Sequence, residues 1–163
     1  MENLIVKFKK ISDIIFKNMK YRISIGFLNN LIGKLGEVIA ENYLNENSKG
    51  RWNTVDKCVN FEFKYIHQKY GKNILNMTLE EFAKINFNYN GDFICYTSDE
   101  RGHIDFNKPI YCIEVKSTWR KVGKQILGKR ERKQIKDNIN CILWIDFSYL
   151  FDGFVEIYED WIN

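Results

Sequence analysis

The stretch from Ile110 to Thr118 reads Ile-Tyr-Cys-Ile-Glu-Val-Lys-Ser-Thr and follows Pro109, the only proline in the chain. Its length and its β-branched and aromatic content predict a buried strand. A buried strand excludes charge, yet this one carries Glu114 and Lys116. Strand side chains alternate, so Glu114 and Lys116 share a face with Cys112 and Thr118, while Ile113, Val115 and Ser117 point the other way. Taking a carboxylate and an ammonium out of water costs several kcal/mol each unless they are paired or hold a metal. Two readings follow. One is a satisfied ion pair at a strand end. The other is a hydrolytic metal site, with Glu114 as ligand and Lys116 orienting the attacking water.

The rest of the chain bears on that choice. With 163 residues, 45% hydrophobic and 28% charged, it is long and apolar enough for a real core and too mixed in sign for a disordered tail. We expect one domain over 1–163. Net charge is only +4, but it is unevenly spread: nine Lys or Arg and one acid lie between Lys116 and Lys136, then six acids and no Lys or Arg from Asp137 to the end. A basic surface just after the charged strand suits a polyanion. Cys58, Cys95, Cys112 and Cys141 show no Cys-x-x-Cys spacing, and three of them sit in apolar runs. They read as buried thiols in a reducing, cytoplasmic setting rather than a disulfide frame or a zinc site. No apolar run spans a bilayer and no signal peptide is visible, so no membrane partner is expected.

In chain order, Leu4, Ile5, Phe8, Ile11, Ile15 and Met19 predict an amphipathic helix over about 2–20 with a lysine-rich outer side. A second helix is expected over about 30–45. There Leu31, Leu35, Val38, Ile39 and Asn42 form one stripe and Gly33, Glu37, Ala40 and Leu44 another. Glycines inside a helix cost roughly 1 kcal/mol each relative to Ala, which close approach to a sheet would offset. Such an approach brings Glu37 in beside the sheet; otherwise it joins Lys34 and Glu41 on a solvated edge. Residues 46–91 read as an insertion. Strands at Trp52–Thr54 and Val59–Ile66 fit it, as does a helix over the second run, and Thr78-Leu79-Glu80-Glu81 is a capping box opening a helix to about Phe87. Asp92 to Thr97 is an apolar run with Asp92 at its mouth, followed by a polar loop to Lys108. An antiparallel hairpin with the 110 strand places Asp92 beside Glu114. A basic helix is expected from Lys121 to about Asn138, a buried strand over Cys141–Phe147 and an edge strand over Phe154–Tyr158.

Other chemistry is thin. His67 and His103 lack partners at metal-ligand spacing, Asp105 reads as a turn residue beside Gly102, and Trp119 beside Arg120 is either core packing or a base-stacking ring. No phosphate-cradling glycine loop and no Ser/His/Asp arrangement is evident.

The order of a helical Glu37, Asp92 at a strand start, Glu114-Val115-Lys116 in the next strand, a basic helix with Gln134 and a buried strand resembles the PD-(D/E)xK nuclease superfamily. The Gly-Lys-Leu-Gly-Glu-Val-Ile-Ala and Ile-Glu-Val-Lys-Ser-Thr segments are similar to those of archaeal Holliday-junction resolvases and Glu-Val-Lys nuclease domains. The resemblance covers about 31–147. It departs from the superfamily's pattern where Gly91 stands in place of the name-giving proline, and in the long interval between Glu37 and Asp92. It implies an α/β fold with a restriction-endonuclease-like mixed central sheet flanked by helices, and a Mg²⁺- or Mn²⁺-dependent DNA endonuclease of restriction-like or junction-resolving type. Asp92, Glu114 and the Val115 carbonyl would hold the metal, Lys116 would orient the water, Glu37 would bind a second metal or a water, and Gln134 would act as an auxiliary polar group. Products would carry 5′-phosphate and 3′-hydroxyl ends. Arg120, Lys121, Lys124, Lys129, Arg130, Arg132 and Lys133 would contact DNA, and a homodimer is expected for cutting both strands. The alternative is the same fold with a silent site, serving as a nucleic-acid-binding module.

Overall fold

The computed structural model describes residues 25–118 and 138–162. The expected helix over 2–20, the basic helix over 121–137, and with it Gln134, Arg120, Lys121, Lys124, Lys129, Arg130, Arg132 and Lys133, lie outside the described residues. The described elements are helix α1 (Ile25–Glu46), strand β1 (Thr54–Lys57), helix α2 (Cys58–Tyr70), a 3₁₀ turn (Ile74–Asn76), helix α3 (Leu79–Phe82), strands β2 (Phe93–Tyr96), β3 (Tyr111–Thr118) and β4 (Cys141–Asp146), a second 3₁₀ turn (Leu150–Asp152) and strand β5 (Glu156–Trp161). Among the described residues, five strands form one sheet in chain order, β1-β2-β3-β4-β5. β1 and β2, and β2 and β3, pair antiparallel. β4 runs in the direction of β3: the Asn140 amide donates to Cys112 O at 2.9 Å and the Phe147 amide to Thr118 O at 2.8 Å, so both strands ascend together. This is a mixed sheet with helices, an α/β protein. The chain divides into two compact units, one taking in described residues 25–40, 115–118 and 143–160, the other 41–114, 138–142 and 161–162.

In the first unit, α1 settles on its glycine side. Ile32, Ile39 and Ala40 are buried and Val38 is 56% exposed, so the side that faces the core runs through Gly36 and takes Ile39 from one expected stripe and Ala40 from the other. The reason is steric. A Cβ on Gly36 would lie 1.8 Å from Ser117 Oγ and 3.9 Å from Ile145 Cγ1, so the helix backbone sits closer to β3 and β4 than any side chain allows. A Cβ on Gly33, by contrast, would meet nothing within 4 Å. Leu143, Ile145, Phe147 and Leu150 complete the core of this unit.

In the second unit the hairpin forms as the sequence suggested, with Phe93 opposite Ile113, Ile94 opposite Cys112 and Cys95 opposite Tyr111. The ambiguous 59–66 run is a helix, not a strand, and the short strand before it is Thr54–Lys57 rather than Trp52–Thr54. Phe61, Tyr65 and Ile66 of α2 are buried, a helical spacing, while Phe63 is exposed. Phe61 packs its ring 5.0 Å from Tyr96 and 5.2 Å from Tyr89. Full burial of side chains of this size is worth about 1.5–3 kcal/mol each, enough to decide the helix against the weaker period-two pattern. The capping box on α3 is present, with Thr78 Oγ1 accepting from the Glu81 amide and Glu81 accepting from the Thr78 amide, but the helix it opens ends at Phe82 rather than about Phe87. The final strand, β5, lies at Glu156–Trp161, two to three residues later than expected.

Candidate active site

Asp92 stands immediately before β2, and its main chain is held on both sides. Its amide donates to Ile113 O at 2.9 Å and its carbonyl accepts from the Cys58 amide at 3.2 Å. Phe93 already faces Ile113 in the ladder, so regular pairing ends at Asp92, and the Asp92 main chain is bonded to the peptide that joins Ile113 to Glu114. The step is made possible by Gly91. Its φ is +113°, and a Cβ there would fall 2.7 Å from Ile113 O and 3.1 Å from Ile113 C. Both atoms are backbone and cannot step aside. Proline, fixed near φ −65°, cannot take this conformation either. This chain reaches Asp92 through a turn that only glycine fits.

Glu114 is half-buried in β3 and Lys116, two residues on, is exposed. Strand alternation puts them on one face. Ser117, which receives Gly36, is on the other, so α1 covers the face of β3 opposite Lys116. Glu37 follows Gly36 and is half-buried on α1. The expected close approach of helix to sheet is therefore present, but on the Ser117 side. Among the described residues, no three His, Cys, Asp or Glu side chains gather as a ready-made metal cage.

The groups that the sequence suggested as ligands, Asp92, Glu114 and the Val115 carbonyl, would offer oxygen only. Mg²⁺ accepts such a set, because it takes one or two carboxylates and completes its shell with water and substrate phosphate. Gly91 leaves clear the space beside Ile113 that a side chain would fill.

Asp146 and Asp56 were not singled out by the sequence. Asp146, at the end of β4, is fully buried and accepts from the Ser148 amide at 2.8 Å. The only signal for it was an Asp-Phe-Ser turn at a strand end. Asp56 accepts from Lys64 Nζ and from Tyr96 OH, each at 2.7 Å, a network that ties β1, α2 and β2 together. Burial, reinforced by that bond to Asp56, pushes the Tyr96 hydroxyl well above its ordinary range. A pocket of about 380 Å³ at the far end of the hairpin is lined by Gln68, Thr97, Ser98, Asp99, His103, Ile104 and Asp105. There Asp99 caps its own loop, and the backbone amide of His103 holds its carboxyl below the usual range.

The four cysteines are free, and Cys95, Cys112 and Cys141 are buried. Among the described residues, no helix is long and apolar enough to cross a membrane. Comparison with protein-family models, with curated proteins and with solved structures finds no match to this chain.

Proposed function

We propose that this protein is a metal-dependent endonuclease of restriction-endonuclease-like fold that hydrolyses phosphodiester bonds in DNA. The observation that carries the reading is the hydrogen bond from the Asp92 amide to Ile113 O, which fastens one acid to the peptide preceding the other, Glu114, two residues before Lys116. The sheet supports it: β1, β2 and β3 pair antiparallel in turn, and β4 beside β3 runs parallel to it.

Asp92, Glu114 and the Val115 carbonyl would hold Mg²⁺ or Mn²⁺. That ion, when bound, polarises the phosphate and acidifies water. Lys116, exposed on the same strand face as Glu114, orients the attacking water by hydrogen bonding and offsets the negative charge that grows on the phosphate oxygens. The resemblance assigns an auxiliary part to Glu37 and to Gln134, and DNA contact to the basic residues between Arg120 and Lys133. Cutting both strands calls for a homodimer, which sedimentation at working concentration measures.

The test is incubation with plasmid and four-way-junction DNA in Mg²⁺, Mn²⁺ or EDTA. Cutting is expected with either metal and not with EDTA. Asp92→Ala, Glu114→Ala and Lys116→Ala should each lower the rate by at least about a hundredfold while DNA binding persists. Glu37→Gln should have a smaller effect than Glu114→Gln. One observation favours a second reading, a silent nucleic-acid-binding module: no three metal-ligating side chains gather among the described residues. Binding without cutting under every metal and substrate selects it.

A further inference from the structure

We propose that Asn90 is a site of spontaneous covalent modification, at which the Gly91 main-chain nitrogen attacks the Asn90 carboxamide, leaves aspartate or isoaspartate in its place, and so displaces Asp92. What this does to activity rests on the nuclease reading; the modification itself does not. Asn90-Gly91 is the one Asn-Gly step in the chain, and every other asparagine with a residue after it precedes one that bears a side chain.

A side chain on the following residue hinders the approach of its nitrogen to the carboxamide, so the ring closes most readily when that residue is glycine. The local structure leaves the approach open. Asn90 is half-buried and lies outside helix and strand. Among the described residues, no acceptor holds the Gly91 amide. The glycine is also obligatory, because its φ is +113° and a Cβ would fall 2.7 Å from Ile113 O. The residue that makes Asn90 labile is therefore the one the turn into Asp92 requires.

The step needs only water. The Gly91 nitrogen loses its proton and bonds to the side-chain carbonyl carbon of Asn90, and the carboxamide nitrogen leaves as ammonia, closing a five-membered succinimide. Water then opens one of its two carbonyls. Opening at one returns the ordinary main chain with a carboxylate in place of the amide. Opening at the other gives isoaspartate, whose main chain runs through the former side chain and is one carbon longer. The chain here has no slack to take that carbon. The Asn90 amide donates to the Cys112 thiol. Tyr89 O accepts from the Cys58 thiol at 3.7 Å, and the Tyr89 ring lies 5.2 Å from Phe61 and 5.5 Å from Tyr65. Gly91 cannot bulge toward β3, because the Ile113 carbonyl stands there. The added length falls on the bonds from the Asp92 amide to Ile113 O and from the Cys58 amide to Asp92 O.

The experiment is incubation of the folded full chain at mildly alkaline pH in heavy-oxygen water, with a sample in denaturant alongside. Peptide mass mapping follows the exchange of amide for carboxyl at each asparagine, and an isoaspartate methyltransferase counts the longer product. In the folded chain Asn90 is expected to convert at least about tenfold faster than any other asparagine, and faster as pH rises. Asn90→Gln, which must close a six-membered ring, is expected to stay intact and to melt as the wild type does. Aged wild type should lose Mg²⁺-dependent cutting in proportion to its isoaspartate, and a thiol reagent should reach its Cys112 faster; aged Asn90→Gln should change in neither. Conversion of Asn90 in denaturant but not in the folded chain overturns the inference, since the fold then shields the step. So does isoaspartate that leaves both Cys112 labelling and cutting as they were. A protein that never cuts DNA, yet converts at Asn90 and exposes Cys112, defeats the nuclease reading and leaves the modification site in place.

Discussion

At the scale of single residues, three glycines make opposite predictions from the same chemistry. Gly91→Ala sets a Cβ against the Ile113 carbonyl at 2.7 Å and forces a side chain into φ +113°. Neither the backbone it meets nor the dihedral can relax cheaply, so the variant should lose about 2–3 kcal/mol of stability. Cutting should fall as Asp92 loses its anchor. An unaltered denaturant midpoint would sink the account of the turn. Gly36→Ala gains about 1 kcal/mol of helix propensity but meets Ser117 Oγ at 1.8 Å and Ser117 Cβ at 3.2 Å, so a net loss of about 1 kcal/mol is expected. Adding Ser117→Ala removes the nearer atom and should restore part of it, a coupling that a double-mutant cycle measures. Gly33→Ala meets nothing within 4 Å and should stabilise by up to about 1 kcal/mol. The sequence raised both helical glycines as signs of close packing. Composition could not tell them apart, because the difference lies in which turn of the helix faces the sheet.

At the scale of elements, legibility followed burial. β2 and β4 were readable because each is an apolar run largely hidden from water, with β2 buried at all four positions, whereas β3, buried only at Cys112 and Ile113 rather than throughout as expected, was readable from its β-branched and aromatic content. The antiparallel hairpin was readable from the polar loop between its strands. α2 was not. Phe61, Phe63 and Tyr65 alternate like a strand, and only the burial of Ile66 beside Tyr65, with Phe63 left outside, reveals the helical period. The capping box of α3 was readable because its signal is local, two side chains answering two amides.

That box also yields a pH prediction. The bond from Lys72 and the Thr78 amide depress the Glu81 carboxyl from 4.5 to about 2. A depressed carboxylate pKa stabilises the folded form fully above the unfolded value and progressively less as pH falls through the folded one. Protection of the Phe82 and Ala83 amides, which bond to Thr78 O and Leu79 O, should hold above about pH 4.5 and decline toward pH 2. Glu81→Gln should remove that dependence. Amide protection flat with pH in the wild type would show that the charge on Glu81 does not support α3.

At the scale of the whole molecule, the thiols report how the unit that carries Asp92 and Glu114 opens. Cys58, Cys95, Cys112 and Cys141 all belong to the unit with β1, β2 and the start of β3. Cys58 is half-buried, with its thiol 3.7 Å from Tyr89 O, and the other three are buried. Burial also pushes the Cys95 and Cys112 thiols up, which leaves little of the reactive thiolate. A thiol reagent at mild alkaline pH should therefore label one cysteine readily and the other three only as fast as the hairpin opens, with all four labelled in denaturant.

Cys95 lies in β2, three residues after Asp92, and Cys112 lies in β3, two before Glu114. A cation held by those two acids must be released before the strands part, so saturating Mg²⁺ should slow labelling of Cys95 and Cys112 in proportion to its occupancy. Asp92→Asn and Glu114→Gln should abolish the slowing without needing any cut DNA as a readout. Equal labelling rates with and without Mg²⁺ in the wild type would mean that the pair of acids holds no metal before DNA arrives. The cation would then have to enter with the phosphate as its third partner, and the same comparison repeated on the complex with uncut oligonucleotide decides whether it does.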